Sequence, residues 1–155
     1  IITVLVGPLI CFLVGCASVP EGSPAVKQQA LSFTPPQGKA GVYVIRPGDR
    51  AGHSLVDVSL DFREFGSLAN GTYLFAVIPP GKHAVTLPVY DQFVHFTAEA
   101  GQNYFFTMYV ELIGIPAARL RMVPLSEAEA RPLVPKLQLS GRNRFDDPSK
   151  ADTTP

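Results

Sequence analysis

The sequence predicts an all-β protein, an antiparallel β-sandwich of about seven strands with a short C-terminal helix; a small barrel is the competing architecture. Short apolar or alternating runs recur along the chain, turns containing Pro or Gly separate them, and helical periodicity is rare. Ten Phe and five Tyr supply bulky side chains for a β-rich core. We expect one sandwich domain, over residues 39–139.

The first two strands are predicted from an apolar run and from an alternation of apolar and polar residues. Residues 41–46 are apolar on both faces, as in a strand buried between layers, and Pro47-Gly48 ends them with turn chemistry. Residues 55–61 alternate apolar and polar side chains, which is the period of a half-exposed strand.

Two turns then predict chain reversals. Asn70-Gly71 lies between apolar runs, and both residues tolerate the positive φ of a type I′ turn, so the pair predicts a β-hairpin. Pro80-Gly81 predicts a type II turn, because Pro fixes φ at its first central position and Gly supplies the positive φ at the second.

The second half of the domain also alternates predicted strands with turns. Residues 82–89 predict a strand that Pro88 ends. Residues 94–99 and 104–110 alternate around a Gly-containing turn and predict a hairpin, and residues 119–123 predict a last strand.

A short helix and an aromatic core complete the predicted domain. Ser126 and Glu129 have the spacing of a capping box, and Pro132 limits the helix to one or two turns. Large aromatic side chains are more typical of a β core than of a ligand site. The side chains assigned to the core on this ground are Tyr43, Phe75, Phe96, Tyr104, Phe106 and, with them, Met108.

An uncharged apolar run, residues 1–14, precedes the domain and ends in Leu13-Val14-Gly15-Cys16. Its length suits a secretory signal segment and falls short of the roughly 20 residues of a spanning helix. The tetrapeptide resembles a bacterial lipobox, which predicts cleavage between Gly15 and Cys16, a diacylglyceryl group on the Cys16 sulfur, and an acyl chain such as palmitate on the new amino terminus. Several acyl chains anchor a protein stably, whereas one does so only marginally.

Two other interpretations of this segment stay open. Gly15-Cys16-Ala17 is also a small-x-small triplet, so cleavage after Ala17 would release an unanchored protein. The run could instead be a buried helix with a chance cysteine. The chain begins at Ile1 without the basic segment of a signal peptide, and we expect that such a segment precedes it.

The segments that flank the sandwich are expected to be flexible. Residues 1–15 are assigned to the signal peptide, and residues 16–38, rich in Pro, Ser, Gly and Gln, to a lipidated N-terminus and an extended tether. Residues 140–155 are assigned to a disordered tail.

Charge and cysteine content narrow the classes of function. Thirteen basic and thirteen acidic residues balance and form no long run of one sign, which does not favour nucleic acid as a partner. Cys11 lies in the expected signal peptide and Cys16 is expected to carry lipid, which leaves no thiol for catalysis. The sequence lacks a nucleophile elbow, a phosphate loop and a zincin motif, so we expect no enzyme activity, cofactor or metal.

The histidines and several carboxylates are candidate site residues. His83 and His95, with Asp91 between them, could bind zinc, although exposed strand and turn histidines are the simpler interpretation; His53 is the third histidine. His83 follows a tight turn, where a ring nitrogen can bond a neighbouring backbone carbonyl. The carboxylates that could form a paired site, or simply occupy polar strand faces and turns, are Asp57, Asp61, Glu64 and Asp91.

Several short motifs carry a family resemblance. They are Gly38-Lys39-Ala40-Gly41-Val42-Tyr43-Val44-Ile45-Arg46, Asp61, Gly66-Ser67-Leu68, Gly71-Thr72-Tyr73, Pro80-Gly81-Lys82-His83 and Ala100-Gly101-Gln102-Asn103-Tyr104. With the lipobox, they resemble the small bacterial lipoproteins grouped as domain of unknown function 2846, over most of residues 38–110; the middle part is also similar to PEGA-type β-sandwich modules. The resemblance implies a membrane-tethered β-sandwich and assigns no activity. The sequence departs from the family pattern at residues 62–65, where a Gly-containing turn would be expected.

Three functions remain as hypotheses. The first is a non-enzymatic envelope lipoprotein whose sandwich binds another envelope protein or stabilises an assembly. The second is a carrier or sensor of a small apolar ligand. The third is a hydrolase that uses His83 or His95 with an aspartate. The expected partners are the membrane, through lipidated Cys16, and an envelope protein; Ala17 after the cysteine resembles lipoproteins of the outer membrane that face the periplasm.

Overall fold

Two β-sheets packed face to face form the body of the protein. The computed structural model describes residues 18–48, 54–114 and 118–145. The larger sheet has the strand order β8-β7-β1-β4-β9 and the smaller sheet the order β3-β2-β5-β6. The nine strands and two α-helices found within the described residues are α1 (Pro24–Ser32), β1 (Ala40–Arg46), β2 (Val56–Leu60), β3 (Arg63–Leu68), β4 (Thr72–Ile78), β5 (Gly81–Leu87), β6 (Gln92–Ala98), β7 (Asn103–Leu112), β8 (Ala118–Leu125), α2 (Glu127–Ala130) and β9 (Gln138–Leu139).

The predicted all-β sandwich with a short C-terminal helix is therefore confirmed, with two strands more than expected. β1 is buried at every position, and β2 buries Val56, Val58 and Leu60 while its alternate residues face solvent, as their sequence patterns predict. Most neighbouring strands are antiparallel, but β1 runs parallel to β7 and β4 runs parallel to β9. The capping box is also present, since Ser126 Oγ accepts from Glu129 N and the Glu129 carboxylate accepts from Ser126 N.

The two predicted hairpins are wrong, because both turns join the two sheets instead. β3 belongs to the smaller sheet and β4 to the larger, with the Asn70-Gly71 turn between them. Gly71 does adopt the predicted positive φ, 73°, but Asn70 does not, so the turn is not of the predicted type I′. However, β4 is buried on both faces, which seats it in the middle of the larger sheet. β6 and β7 likewise lie in different sheets.

The aromatic side chains divide between two cores. Phe106 and Met108 belong to the core between the sheets, and Phe96 and Tyr104 pack against it while partly buried. Tyr43 and Phe75 are buried in a second cluster, which also contains residues of α1, α2 and β9. The predicted core aromatics are thus confirmed as packing residues, and the helices enlarge the buried volume on one side of the larger sheet.

Part of the predicted tether is a helix. Ser23 caps α1 by accepting from Val26 N, and Pro24 occupies the first turn, where a missing N–H costs nothing. The Tyr43 hydroxyl donates to Ala30 O at 2.7 Å, and burial raises the pKa of Tyr43 well above its usual range. Phe33 stacks on Tyr43. An extended tether over residues 18–38 is therefore wrong: apolar contacts with the aromatic cluster hold this segment on the domain.

The tail prediction also fails for residues 140–145. Asn143 Nδ2 donates to Phe75 O at 2.7 Å, and Ser67 N donates to Arg142 O at 3.0 Å. Gly66 allows this approach, because a Cβ there would lie 2.0 Å from Arg142 O. Residues 146–155 lie outside the described residues, as do residues 1–17 with the predicted cleavage and lipidation site at Gly15 and Cys16.

Side-chain hydrogen bonds tie the sheets to each other. Gln92 on the edge strand β6 donates to Leu120 O and accepts from Met122 N, both on the edge strand β8. Arg46, at the end of β1, is buried and donates from Nη1 to Ser54 O and Leu68 O. These bonds fix one sheet over the other and leave the outer face of the smaller sheet as a separate surface.

Candidate functional site: the outer face of the smaller sheet

A two-residue turn joins β2 to β3 and carries an exposed phenylalanine. Leu60 pairs with Arg63, and between them Asp61 and Phe62 have φ values of 51° and 62°, as in a type I′ turn. This conformation costs a residue with a Cβ roughly 1–2 kcal/mol. The Phe62 side chain is nonetheless 71 % exposed. The turn therefore presents a large apolar ring to solvent in a backbone conformation that suits glycine better.

Three contacts tie Asp61 to β5 and hold this turn in place. Its backbone N donates to Ala84 O at 2.8 Å, its Oδ1 accepts from Ala84 N at 2.9 Å, and its Oδ2 lies 2.7 Å from His83 Nδ1. The other ring nitrogen, Nε2, lies 2.8 Å from Pro79 O, which confirms the predicted bond from His83 to a backbone carbonyl. Both ring nitrogens of His83 therefore lie against oxygen atoms of the protein.

Phe62 meets a second exposed aromatic ring on the outer face of the smaller sheet. Its ring centroid lies 6.4 Å from that of Phe93, which is 50 % exposed. Phe93 pairs with Thr86 and His95 pairs with Ala84, so these four side chains share one face. We name the surface formed by Phe62, Ala84, Thr86, Phe93 and His95 the aromatic face.

Thr86 lies buried within the aromatic face. It is 4 % exposed, yet its hydroxyl has no hydrogen-bond partner among the described residues. A buried polar group without a partner costs about 1–3 kcal/mol and calls for an explanation. Together with the positive φ of Phe62, this hydroxyl shows that the face departs in two places from the most stable local arrangement, as functional surfaces often do.

The structure does not bring together the residues weighed as a zinc site. His83 and His95 lie on neighbouring strands as predicted, but His83 pairs with Phe96 and His95 with Ala84, so they face opposite sides of the sheet. Asp91 follows a 3₁₀ turn, Pro88–Tyr90, which joins β5 to β6 at the other end of these strands. No group of three or more metal-binding side chains occurs in the described part of the chain, and His53 lies outside it.

Three of the four carboxylates considered as a paired site have separate partners. Asp57 accepts from the Ser67 hydroxyl at 2.6 Å, and Glu64 lies 2.9 Å from Arg144. Asp61 is engaged by His83, whose side chain is 8 % exposed and whose two nitrogens are both occupied. In this geometry His83 has no free nitrogen with which to accept a proton from a substrate.

Sequence reasoning missed the two most distinctive features of this site. Phe62 and Phe93 stand apart in sequence, and nothing local to either shows that their rings meet. A signal for Asp61 did exist, since a carboxylate at a strand end often bonds backbone N–H groups in a turn. Its contact with His83 depends on the pairing of β2 with β5, which the sequence alone does not specify.

A comparison with family models shows which family the chain belongs to. The chain matches the model described as "Protein of unknown function (DUF2846)" over residues 36–118, more than half of its length. The protein belongs to the DUF2846 family. In this DUF2846 protein the matched range extends from before β1 through β7 and includes every residue of the aromatic face. The match confirms the resemblance to this family that the sequence motifs indicated.

Other comparisons add little to this assignment. No curated protein and no solved structure matches the chain of this DUF2846 protein significantly. Within residues 18–48, 54–114 and 118–145, no helix is long and apolar enough to cross a membrane.

Proposed function

We propose that this DUF2846 protein is a lipid-anchored, non-enzymatic contact module of the bacterial cell envelope. Cys16 holds the chain in the membrane, and the aromatic face binds another envelope protein. The observation that carries the proposal is the exposed Phe62 ring, held against Phe93 by a turn that Asp61 and His83 brace. A protein that needed only a stable turn would do better with glycine at position 62.

The chemistry of the aromatic face suits a protein partner. Aromatic residues are enriched at the centres of protein interfaces and supply much of their binding energy. Phe62 and Phe93 bring two rings together, and the buried Ala84 and Thr86 on the same face leave the rings as its prominent features. The partner is an envelope protein that offers an apolar surface complementary to the two rings.

The anchor is supported by the sequence Leu13-Val14-Gly15-Cys16 at the end of an apolar run. A diacylglyceryl group and an amino-terminal acyl chain on Cys16 together anchor stably, since each buried CH₂ contributes roughly 0.8 kcal/mol. The proposed location is the outer membrane, with the domain in the periplasm. Metabolic labelling with an alkyne fatty acid tests this part. Labelling of the wild type that is lost in Cys16→Ser supports the anchor, and equal labelling of the two contradicts it.

Photo-crosslinking in intact cells tests the proposed face. A benzophenone amino acid replaces Phe93 in one strain and, as a matched control, the exposed Val77 of the larger sheet in another. We expect one specific adduct with an envelope protein from position 93, none from position 77, and a loss of the adduct in the unanchored Cys16→Ser chain. The same adducts from both positions, or none from position 93, would contradict the proposal.

A further inference from the structure

The β7–β8 ribbon of the larger sheet carries a second exposed apolar region, separate from the aromatic face of the smaller sheet. β1 pairs with β7 as far as Thr107, whereas β7 continues to Leu112, paired with β8 alone among the described strands. Met108 lies next to the end of β1. At a rise of about 3.4 Å per residue, Leu112 lies about 14 Å beyond Met108 along the ribbon. Leu112 is 80 % exposed and Ile113 is 53 % exposed. We name these two residues the ribbon tip.

Amphipathic side chains lie on the ribbon behind its tip. Tyr109 lies on the same ribbon and is exposed, and it pairs with Arg121, while Arg119 pairs with Glu111. Arg121 also forms an ion pair with Glu111 at 2.8 Å. Tyrosine and arginine are typical of the membrane interface, where their apolar parts lie in the headgroup region and their polar ends reach water. Apolar tips with such neighbours suit a bilayer surface.

The N-terminal end of the described chain lies at the same end of the sandwich as the ribbon tip. A series of hydrogen bonds connects Val19 to the end of β1, beyond which the ribbon projects: Gln138 Nε2 donates to Val19 O, Gln138 N donates to Gly71 O, and Gly71 N donates to Arg46 O. Val19 is buried and therefore fixed to the body. Cys16 precedes Val19 by three residues, so its Cα lies within about 11 Å of that of Val19 at full extension.

We infer that the ribbon tip, Leu112 and Ile113, inserts into the interface of the bilayer that holds the lipidated Cys16. This inference rests on the proposed anchor and adds a second membrane contact to it. The reach of about 11 Å from Val19 to Cys16 is similar to the projection of about 14 Å by the ribbon, so the anchor and the tip can reach one bilayer surface together.

The membrane contact sets the orientation of the domain. With both contacts at one end, the strands stand steeply on the bilayer, and the aromatic face looks sideways along the membrane. A partner in the same membrane can then reach Phe62 and Phe93 without detaching the domain. Glu111 pairs with Arg119 and forms an ion pair with Arg121, so it offsets part of the positive charge beside the tip, and apolar contact carries most of the insertion.

A fluorescent label on the ribbon tip tests the inference in the full, lipidated protein. Leu112→Cys is labelled with NBD and reconstituted in vesicles of phosphatidylethanolamine and phosphatidylglycerol. Thr97→Cys, exposed on β6 at the opposite end, is the matched control. Co-flotation reports the lipid anchor, and NBD emission with quenching by nitroxide-labelled lipid chains reports insertion of the tip.

Each outcome of this experiment decides the inference. Blue-shifted emission and lipid quenching at position 112, with neither at position 97, support it. A floating protein whose label at position 112 stays aqueous overturns the inference and leaves the anchor intact. A blue shift without lipid quenching means that protein covers the tip, which also overturns it. A protein that does not float overturns the inference together with the proposed anchor.

Discussion

The carboxylate of Asp61 and the imidazole of His83 meet at 2.7 Å, and this contact joins the β2–β3 turn to β5 across the smaller sheet. Asp61 has positive φ and precedes Phe62, so whatever holds Asp61 also fixes the direction of the exposed ring. The His83 ring is held in turn by Pro79 O. The buried His83 ring thus supports the exposed Phe62 ring through the carboxylate of Asp61.

A double-mutant cycle tests this support. Asp61→Asn and His83→Gln each remove part of the contact, and each is expected to lower the free energy of unfolding by about 1–2 kcal/mol, because a charge-assisted hydrogen bond is lost. The loss of unfolding free energy in the double variant is expected to be smaller than the sum of the two single losses by at least about 0.5 kcal/mol. Urea denaturation measures all three. Asn tolerates positive φ, so the first variant does not add backbone strain.

The matched control for this cycle is His95→Gln. His95 is exposed on β6, and its replacement is expected to stay within about 0.5 kcal/mol of the wild type. Strictly additive costs for Asp61→Asn and His83→Gln would show that the two side chains act independently and would count against the brace.

Phe62→Gly is expected to stabilise the protein while it weakens partner binding. Glycine adopts φ near 62° without the cost that phenylalanine carries, so the free energy of unfolding rises by about 1 kcal/mol. Loss of the contact between the Phe62 and Phe93 rings offsets part of this gain. Thermal denaturation measures the effect. A clear loss of stability would mean that the ring serves the fold and was not kept for a partner.

Thr86→Val is expected to raise the free energy of unfolding by about 1 kcal/mol. The hydroxyl is buried, and no partner for it occurs among the described residues, so an apolar group of similar shape removes a desolvation cost. The same change at Thr72, whose hydroxyl donates to Ala69 O at 2.8 Å, is the control and is expected to destabilise. If both variants lose stability equally, the Thr86 hydroxyl has a partner after all.

The N-terminal cap of α2 predicts a dependence on pH. Hydrogen bonds from Ser126 hold the pKa of Glu129 below its ordinary value. The folded-state pKa is depressed, so the stabilisation is present above the ordinary Glu pKa and is lost as pH falls through the folded-state value. The difference in melting temperature between the wild type and Ser126→Ala should therefore shrink from neutral to acidic pH. In a Glu129→Gln background it should change little; an equal decrease there would contradict this origin.

Local signals predicted the elements well and their partners poorly. The burial of β1, the alternation of β2 and the capping box of Ser126 and Glu129 depend on neighbouring residues, and all three are confirmed. The Asn70-Gly71 pair predicted the positive φ of Gly71 correctly, but not that of Asn70 and not the connection, because the sheet that β4 joins depends on residues far along the chain. A Ser-Pro helix start at Ser23 and Pro24 was present, but the apolar contacts that hold α1 lie far along the chain.

The candidate site shows the same division. The bond from His83 to a backbone carbonyl follows from its place after a tight turn and is confirmed. The Phe62–Phe93 pair and the Asp61–His83 contact need the order of β2, β5 and β6, which long-range pairing sets. The predicted lipidation at Cys16 lies outside the described residues, and it stays a prediction.

The most direct measurement of the central claim is co-purification of the partner with variants of the aromatic face. Anchored wild type is compared with the Phe62→Asn/Phe93→Thr double variant, in which asparagine suits the positive φ and threonine suits the strand. We predict that the recovered partner falls by about tenfold or more, as expected for a loss of at least 1.4 kcal/mol of binding free energy, while the melting temperature stays at or above that of the wild type. Unchanged recovery of the partner by a folded double variant would contradict the proposal that this protein works through its aromatic face.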